Sequence, residues 1–127
     1  MKFYQEIAAE NFRHGYNCAQ SVLLAFAPEI GLDEVTTLKL ASSFGGGMGR
    51  LREVCGAVSA MFMVAGVLKG YTSPIDDESK AKHYKLIQDL AEKFKQEHDS
   101  IICRELLGLK EDESSYIPSK RTSEYYA

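Results

Sequence analysis

From Val54 to Leu68 the chain carries no charged residue, and only Ser59, Gly56 and Gly66 interrupt its apolar side chains. Such a run has no face suited to water, so as a helix it must be covered by neighbours on every side. It falls short of the roughly 20 residues a membrane span needs. The run therefore predicts the most buried, central helix of an all-α single-domain bundle. The rest of the sequence must supply the elements around it.

Those elements are legible as helices. Phe3, Ile7, Ala8 and Phe12 mark one face of a first helix that Gly15 ends. Cys18, Ala19, Val22, Leu23 and Phe26 form the stripe of a second, closed by Pro28 and Gly31. Asp33 is placed to cap a third, with Val35, Leu38, Ala41 and Phe44 as its apolar positions. Ser73-Pro74 followed by Asp76, Asp77 and Glu78 predicts a fifth helix start, since proline suits the first helical position and acidic groups suit the first turn. This helix runs to about His98, with Tyr84, Ile87, Ala91 and Phe94 on its buried face. A short sixth covers Ile101 to Leu107, capped by Asp99 or Ser100. No strand pattern, internal repeat or low-complexity segment stands out. The expected organisation is a helical bundle domain over residues 1–109, of about five to six helices, and a polar tail over 110–127.

A chain of 127 residues with 45% hydrophobic and 26% charged residues can bury a core without disulfide support. The net charge of −3 argues against nucleic acid, which calls for a basic surface. Met1 to Phe12 lacks the apolar centre of a signal peptide. A cytoplasmic, reducing setting is the expectation, and there thiols serve metals or redox chemistry more often than structural disulfides.

The three cysteines carry the chemical interest. Cys18 follows the plausible cap Asn17, Cys55 opens the apolar run, and Cys103 lies in the short sixth helix. Each is thus expected in the first turn of a different helix, where unpaired N–H groups favour thiolate over thiol. A single cysteine in such a place is usually a small hydrophobe. Three together point to a sulfur site made by converging helix ends, with Cys18, Cys55 and Cys103 as candidate redox residues and candidate metal ligands. Gly56 and Ala60, four apart on one ridge, would let a second helix approach Cys55 closely. Tyr16 is a candidate hydrogen-bond donor to a thiolate, and His14 is the one histidine near enough in sequence to be tested as a further ligand. His83 and His98 fall on a charged helix.

Gly45, Gly46, Gly47 and Gly49 are the candidate cofactor-binding residues, as an anion cradle or as a collar around the sulfur site. The competing reading is a tight connection between packed helices. Nucleotide binding is disfavoured, because the stretch follows a helix and lacks the Gly-Lys-Ser/Thr ending of a P-loop.

Four blocks in order carry a family resemblance: Gly15-Tyr16-Asn17-Cys18-Ala19-Gln20-Ser21-Val22, Phe44 to Gly49, Cys55-Gly56-Ala57, and Cys103-Arg104-Glu105-Leu106-Leu107. Together they resemble the C-GCAxxG-C-C family, described as redox-active on the strength of its cysteines. The family is marked by four cysteines and a CGAxxG motif. Ala60 stands where that motif ends in glycine, and the C-terminal segment, Lys120 to Tyr125, has no cysteine. Thr122 or Ser123 is the candidate for the fourth position, with oxygen in place of sulfur.

Two functions follow. In the first, the cysteines converge on redox or metal chemistry. Three thiolates would hold a metal ion, with water, His14 or a partner chain as fourth ligand, or two would form a reversible disulfide with the third as resolving thiol. An iron–sulfur cluster is the other candidate cofactor, although it usually wants four cysteines. The electron partner is not named by the sequence, and neither a general base nor a substrate pocket is evident. In the second, the chain is a non-enzymatic helical interaction and assembly module, with a homodimer as the candidate assembly, whose cysteines are buried packing residues.

Overall fold

The computed structural model describes residues 2–108, with the side chains of Lys2 and Phe3 left aside. Six helices follow in order: α1 (Lys2–Arg13), α2 (Cys18–Ile30), α3 (Glu34–Ser42), α4 (Gly56–Lys69), α5 (Asp77–His98) and α6 (Cys103–Leu107). The fold is all-α. Among the described residues the sole β feature is an isolated antiparallel bridge between Val54 and Ile102. The polar tail over 110–127, with Thr122 and Ser123, lies outside the described residues.

The core forms where α2 crosses α4. Ala19 and Leu23 of α2, Ala41 of α3, and Ala60 and Val64 of α4 make one buried cluster, flanked by Val22, Phe26, Ile30, Phe44 and Met63. Small residues dominate it, which lets the two helix backbones come close. α2 packs against α1, α3 and α4, while α5 lies along α4. Tyr4 of α1 stacks on Phe26 of α2 with ring centroids 4.4 Å apart.

The central helix of the sequence reading is α4, which buries Gly56, Val58, Ser59, Ala60, Val64 and Ala65. It is not covered on every side, however. Met61, Val67 and Leu68 face solvent, Leu68 at 57% exposure. An apolar sequence reports what a helix tolerates, and here α2 and α5 together leave part of the surface of α4 uncovered.

Capping residues set most boundaries. Asn17 forms a reciprocal capping box with Gln20, and Asp33 accepts from the Thr36 N–H at 3.0 Å. Pro28 does not close α2 but lies inside its last turn. There it removes a single N–H, and the helix continues to Gly31, a left-handed C-cap. On α3, Val35 is 60% exposed, while Thr37 is buried with its hydroxyl donating to the Asp33 carbonyl at 2.7 Å. A hydroxyl satisfied within its own turn can thus replace an apolar side chain on the inner face.

α5 begins later than the proline suggested. Ser73 to Asp76 form a turn, and Asp76 caps the helix through the Ser79 N–H at 3.0 Å. Its expected buried face is only half covered: no residue of α5 is fully buried, and Tyr84 is 51% exposed. Asp99 does not cap α6. It closes α5 in left-handed conformation, and α6 starts at Cys103 rather than Ile101. Ser100 accepts from the Ile102 N–H at 3.0 Å and donates to Glu105 Oε1 at 2.6 Å, which braces the start of α6 without being its N-cap.

Candidate functional site

Each cysteine sits at the start of a helix. Cys18 is the first residue of α2, and Cys103 is the first residue of α6. Cys55 is the residue before α4, in the N-cap position, with no side-chain capping bond. Cys18 and Cys55 are half-buried, and Cys103 is 8% exposed. No disulfide joins any of them. α6 is only five residues long, so little macrodipole accumulates at Cys103.

The bridge between Val54 and Ile102 fixes the relation of two cysteines. Cys55 N–H donates to the Ile101 carbonyl at 2.7 Å, and Cys103 N–H donates to the Glu53 carbonyl. Cys55 therefore stands opposite Ile101, and Cys103 is its diagonal neighbour on the other strand. Diagonal neighbours across an antiparallel pair have Cα atoms about 7–8 Å apart. Arg104 N–H extends the pairing to the Arg52 carbonyl at 3.1 Å.

Cys18 comes near this part of the chain at Gly56. A Cβ built on Gly56 would lie 3.2 Å from Cys18 Cβ and 2.9 Å from both the Ala19 nitrogen and the Phe44 oxygen. The close approach expected of Gly56 and Ala60 is thus made by the start of α2, directly beside Cys55.

The glycine loop borders this arrangement. Gly45 packs against the Asn17 side chain, which also donates to the Ser42 carbonyl at 3.3 Å. A Cβ on Gly47 would lie 2.6 Å from Cys103 Cβ, 2.8 Å from the Glu53 nitrogen and 2.9 Å from the Arg52 Cα. Gly46, Gly47, Met48, Gly49 and Arg50 form a consecutive left-handed run, with φ from 61° to 72°, and Arg52 follows at 63°. Non-glycine residues cost roughly 1–2 kcal/mol each in this region, so Met48, Arg50 and Arg52 are held there by their surroundings. The N–H groups of Met48, Arg50, Leu51, Arg52 and Glu53 donate to carbonyls of residues 44–48. Those amides face the loop's own backbone, which is unlike a phosphate cradle.

One residue that sequence reasoning missed stands against the buried cysteine. Arg52 Nη1 donates to Cys103 Sγ at 3.6 Å, a distance suited to the large sulfur atom. Arg52 Nε is buried and has no hydrogen-bond partner among the described residues. In the sequence Arg52 is one charge in the turn from Arg50 to Glu53. Its proximity to Cys103 depends on a pairing across about fifty positions that no local pattern signals.

The expected metal set is not assembled in this part of the chain. Among the described residues no group of three or more His, Cys, Asp or Glu side chains is placed to hold a metal ion. His14 lies exposed after α1, and Tyr16 is half-buried in the turn before Asn17. No helix among the described residues is long and apolar enough to cross a membrane.

The sequence model of a family described as "Putative redox-active protein (C_GCAxxG_C_C)" matches residues 16–125. The chain belongs to this family. The match takes in Cys18, Cys55 and Cys103, and the glycine loop between the first two. The C_GCAxxG_C_C match also extends over the segment of Thr122 and Ser123, outside the described residues. The chain matches no curated protein and no solved structure.

Proposed function

We propose that the chain is a thiol–disulfide redox protein in which Cys55 and Cys103 form the exchanging pair and Cys18 stands beside them as a third thiol. The observation that carries this reading is the Val54–Ile102 bridge, with its flanking bonds from Cys55 to Ile101 and from Cys103 to Glu53. A disulfide needs Cα atoms within about 7 Å. The diagonal separation is therefore closed by a shift on the order of 1 Å.

The chemistry balances with a small-molecule disulfide as oxidant. One thiolate of the pair attacks a sulfur of that disulfide, whose S–S bond breaks and releases one thiolate. The second cysteine then attacks the mixed disulfide, expels the other thiolate, and closes the Cys55–Cys103 bond. Two electrons pass to the oxidant, and the protons leave with the two released thiols. The same sequence run on a partner disulfide makes the reduced chain its reductant, and the reverse lets the oxidised chain take two electrons from a pair of thiols. A reducing, cytoplasmic setting suits such a cycle.

Thiol counting tests the proposal. Native protein treated with oxidised glutathione should lose two of its three titratable thiols and regain them with a reducing thiol. Cys55→Ser should prevent the intramolecular loss. Three thiols that persist through the treatment, becoming reactive only on unfolding, would assign the cysteines to packing and the chain to a helical assembly role.

A further inference from the structure

The guanidinium of Arg52 has a role that neither the cysteine pattern nor the glycine loop supplies. Its Nη1 donates to Cys103 Sγ at 3.6 Å, while its Nε is buried without a partner among the described residues. Among the described residues no carboxylate lies within salt-bridge distance of it. The nearby acidic groups are placed otherwise: Glu53 is exposed, and Glu105 accepts from the Ser100 hydroxyl. A partly enclosed cation without a carboxylate favours whatever neighbouring group can carry negative charge. That group is the sulfur of Cys103, a residue only 8% exposed.

The backbone holds this contact in place. Arg52 is left-handed at φ 63°, its N–H donates to the Gly46 carbonyl at 3.3 Å, and its own carbonyl accepts from Arg104 at 3.1 Å. The left-handed loop and the start of α6 therefore fix Arg52 from both sides. Gly47, against Cys103 Cβ, leaves the room that brings the loop this near. Such local strain is retained only where the surroundings enforce it.

From these observations we infer that Arg52 is the positioning residue that sets the redox poise of the cysteine pair, by donating a charge-assisted hydrogen bond to Cys103 Sγ in the reduced chain. The inference rests on the thiol–disulfide reading above. A charge-assisted bond to sulfur exists only when the pair is reduced, since a disulfide sulfur carries no charge. Arg52 therefore stabilises the dithiol relative to the disulfide and makes the oxidised chain the stronger oxidant. In exchange, Cys103 is the better leaving sulfur when the Cys55–Cys103 bond is attacked at Cys55.

The test uses the full chain in glutathione redox buffers, with the fraction oxidised read by mass. Arg52→Gly removes the guanidinium at a position whose φ glycine accepts freely, so loss of the fold is not the obstacle. The expected result is an equilibrium shifted about ten-fold toward the disulfide, a potential about 30 mV more negative. Arg52→Lys should retain part of the effect. An unchanged midpoint in Arg52→Gly overturns the role of Arg52, whereas a wild-type chain that forms no disulfide overturns the pairing itself. A second measurement stands apart from the pairing: alkylation of Cys103 in a Cys55→Ser background. Arg52→Gly should slow it several-fold at neutral pH, and the difference should vanish in strong alkali, where every thiol is ionised. A rate difference that persists in alkali, or no difference at neutral pH, contradicts the electrostatic role.

Discussion

Gly56→Ala and Gly66→Ala make the same change in one helix and should move stability in opposite directions. Both glycines lie in α4. A Cβ on Gly56 would sit 2.9 Å from the Ala19 nitrogen and 2.9 Å from the Phe44 oxygen, with Cys18 Cβ at 3.2 Å. The first two are backbone atoms, which cannot turn aside as a side-chain end can, so α2 must move away from α4. Overpacking of this kind costs typically about 1–3 kcal/mol. The gain in helix propensity from glycine to alanine is at most about 1 kcal/mol, and the start of the helix receives only part of it. The net expectation is a loss of about 1–2 kcal/mol. Among the described residues nothing lies within 4 Å of a Cβ on Gly66, so only the propensity gain acts, about 0.5–1 kcal/mol of added stability. For a domain of this size each kcal/mol moves Tm by about 3–5 °C. Urea and thermal unfolding followed by circular dichroism should separate the variants by roughly 5–15 °C. A Gly56→Ala protein as stable as the wild type, or two variants that shift together, would refute the close α2–α4 contact beside Cys55.

Other substitutions probe neighbouring parts of the site. Asn17→Ala removes the acceptor for the Gln20 N–H at 2.8 Å and the bond to the Ser42 carbonyl, and should cost about 1–2 kcal/mol in urea unfolding. Gly47→Ala combines a positive φ with a Cβ 2.6 Å from Cys103 Cβ, and should cost about 2–4 kcal/mol while changing the alkylation rate of Cys103. Hydrogen bonds from Thr36 hold the Asp33 carboxyl below its ordinary 3.8, and those from Ser79 do the same for Asp76. A carboxyl lowered on folding adds stability above its unfolded value and loses it as pH falls through the folded one. Thermal melts should therefore fall as pH drops below about 4, and Asp33→Asn with Asp76→Asn should flatten that fall.

Much of this architecture could be read from residues with local consequences. Asn17, Asp33 and Gly31 act within one turn of their own position, and each stands at the helix end that its chemistry suggests. The helix-start placement of Cys18 and Cys103 was legible for the same reason, as was the packing ridge of Gly56 and Ala60. What the sequence hid depends on partners far away. The exposure of Met61, Val67 and Leu68 follows from which helices fail to cover α4, not from α4 itself. Pro28 and Pro74 were misleading because proline's effect depends on its place in the turn. One is tolerated in a last helical turn, and the other lies before the Asp76 cap. The bridge that sets Cys55 beside the start of α6, and Arg52 against Cys103, joins segments far apart in the chain. No period or motif encodes that pairing.

Disulfide mapping tests the central claim most directly. Native protein poised in a partly oxidising glutathione buffer would be acid-quenched, its remaining thiols alkylated, and its peptides sequenced by tandem mass spectrometry. The account predicts an intramolecular link between the Cys55 and Cys103 peptides, with Cys18 alkylated. A link joining Cys18 to Cys103, or three alkylated cysteines across the whole range of buffers, would contradict it.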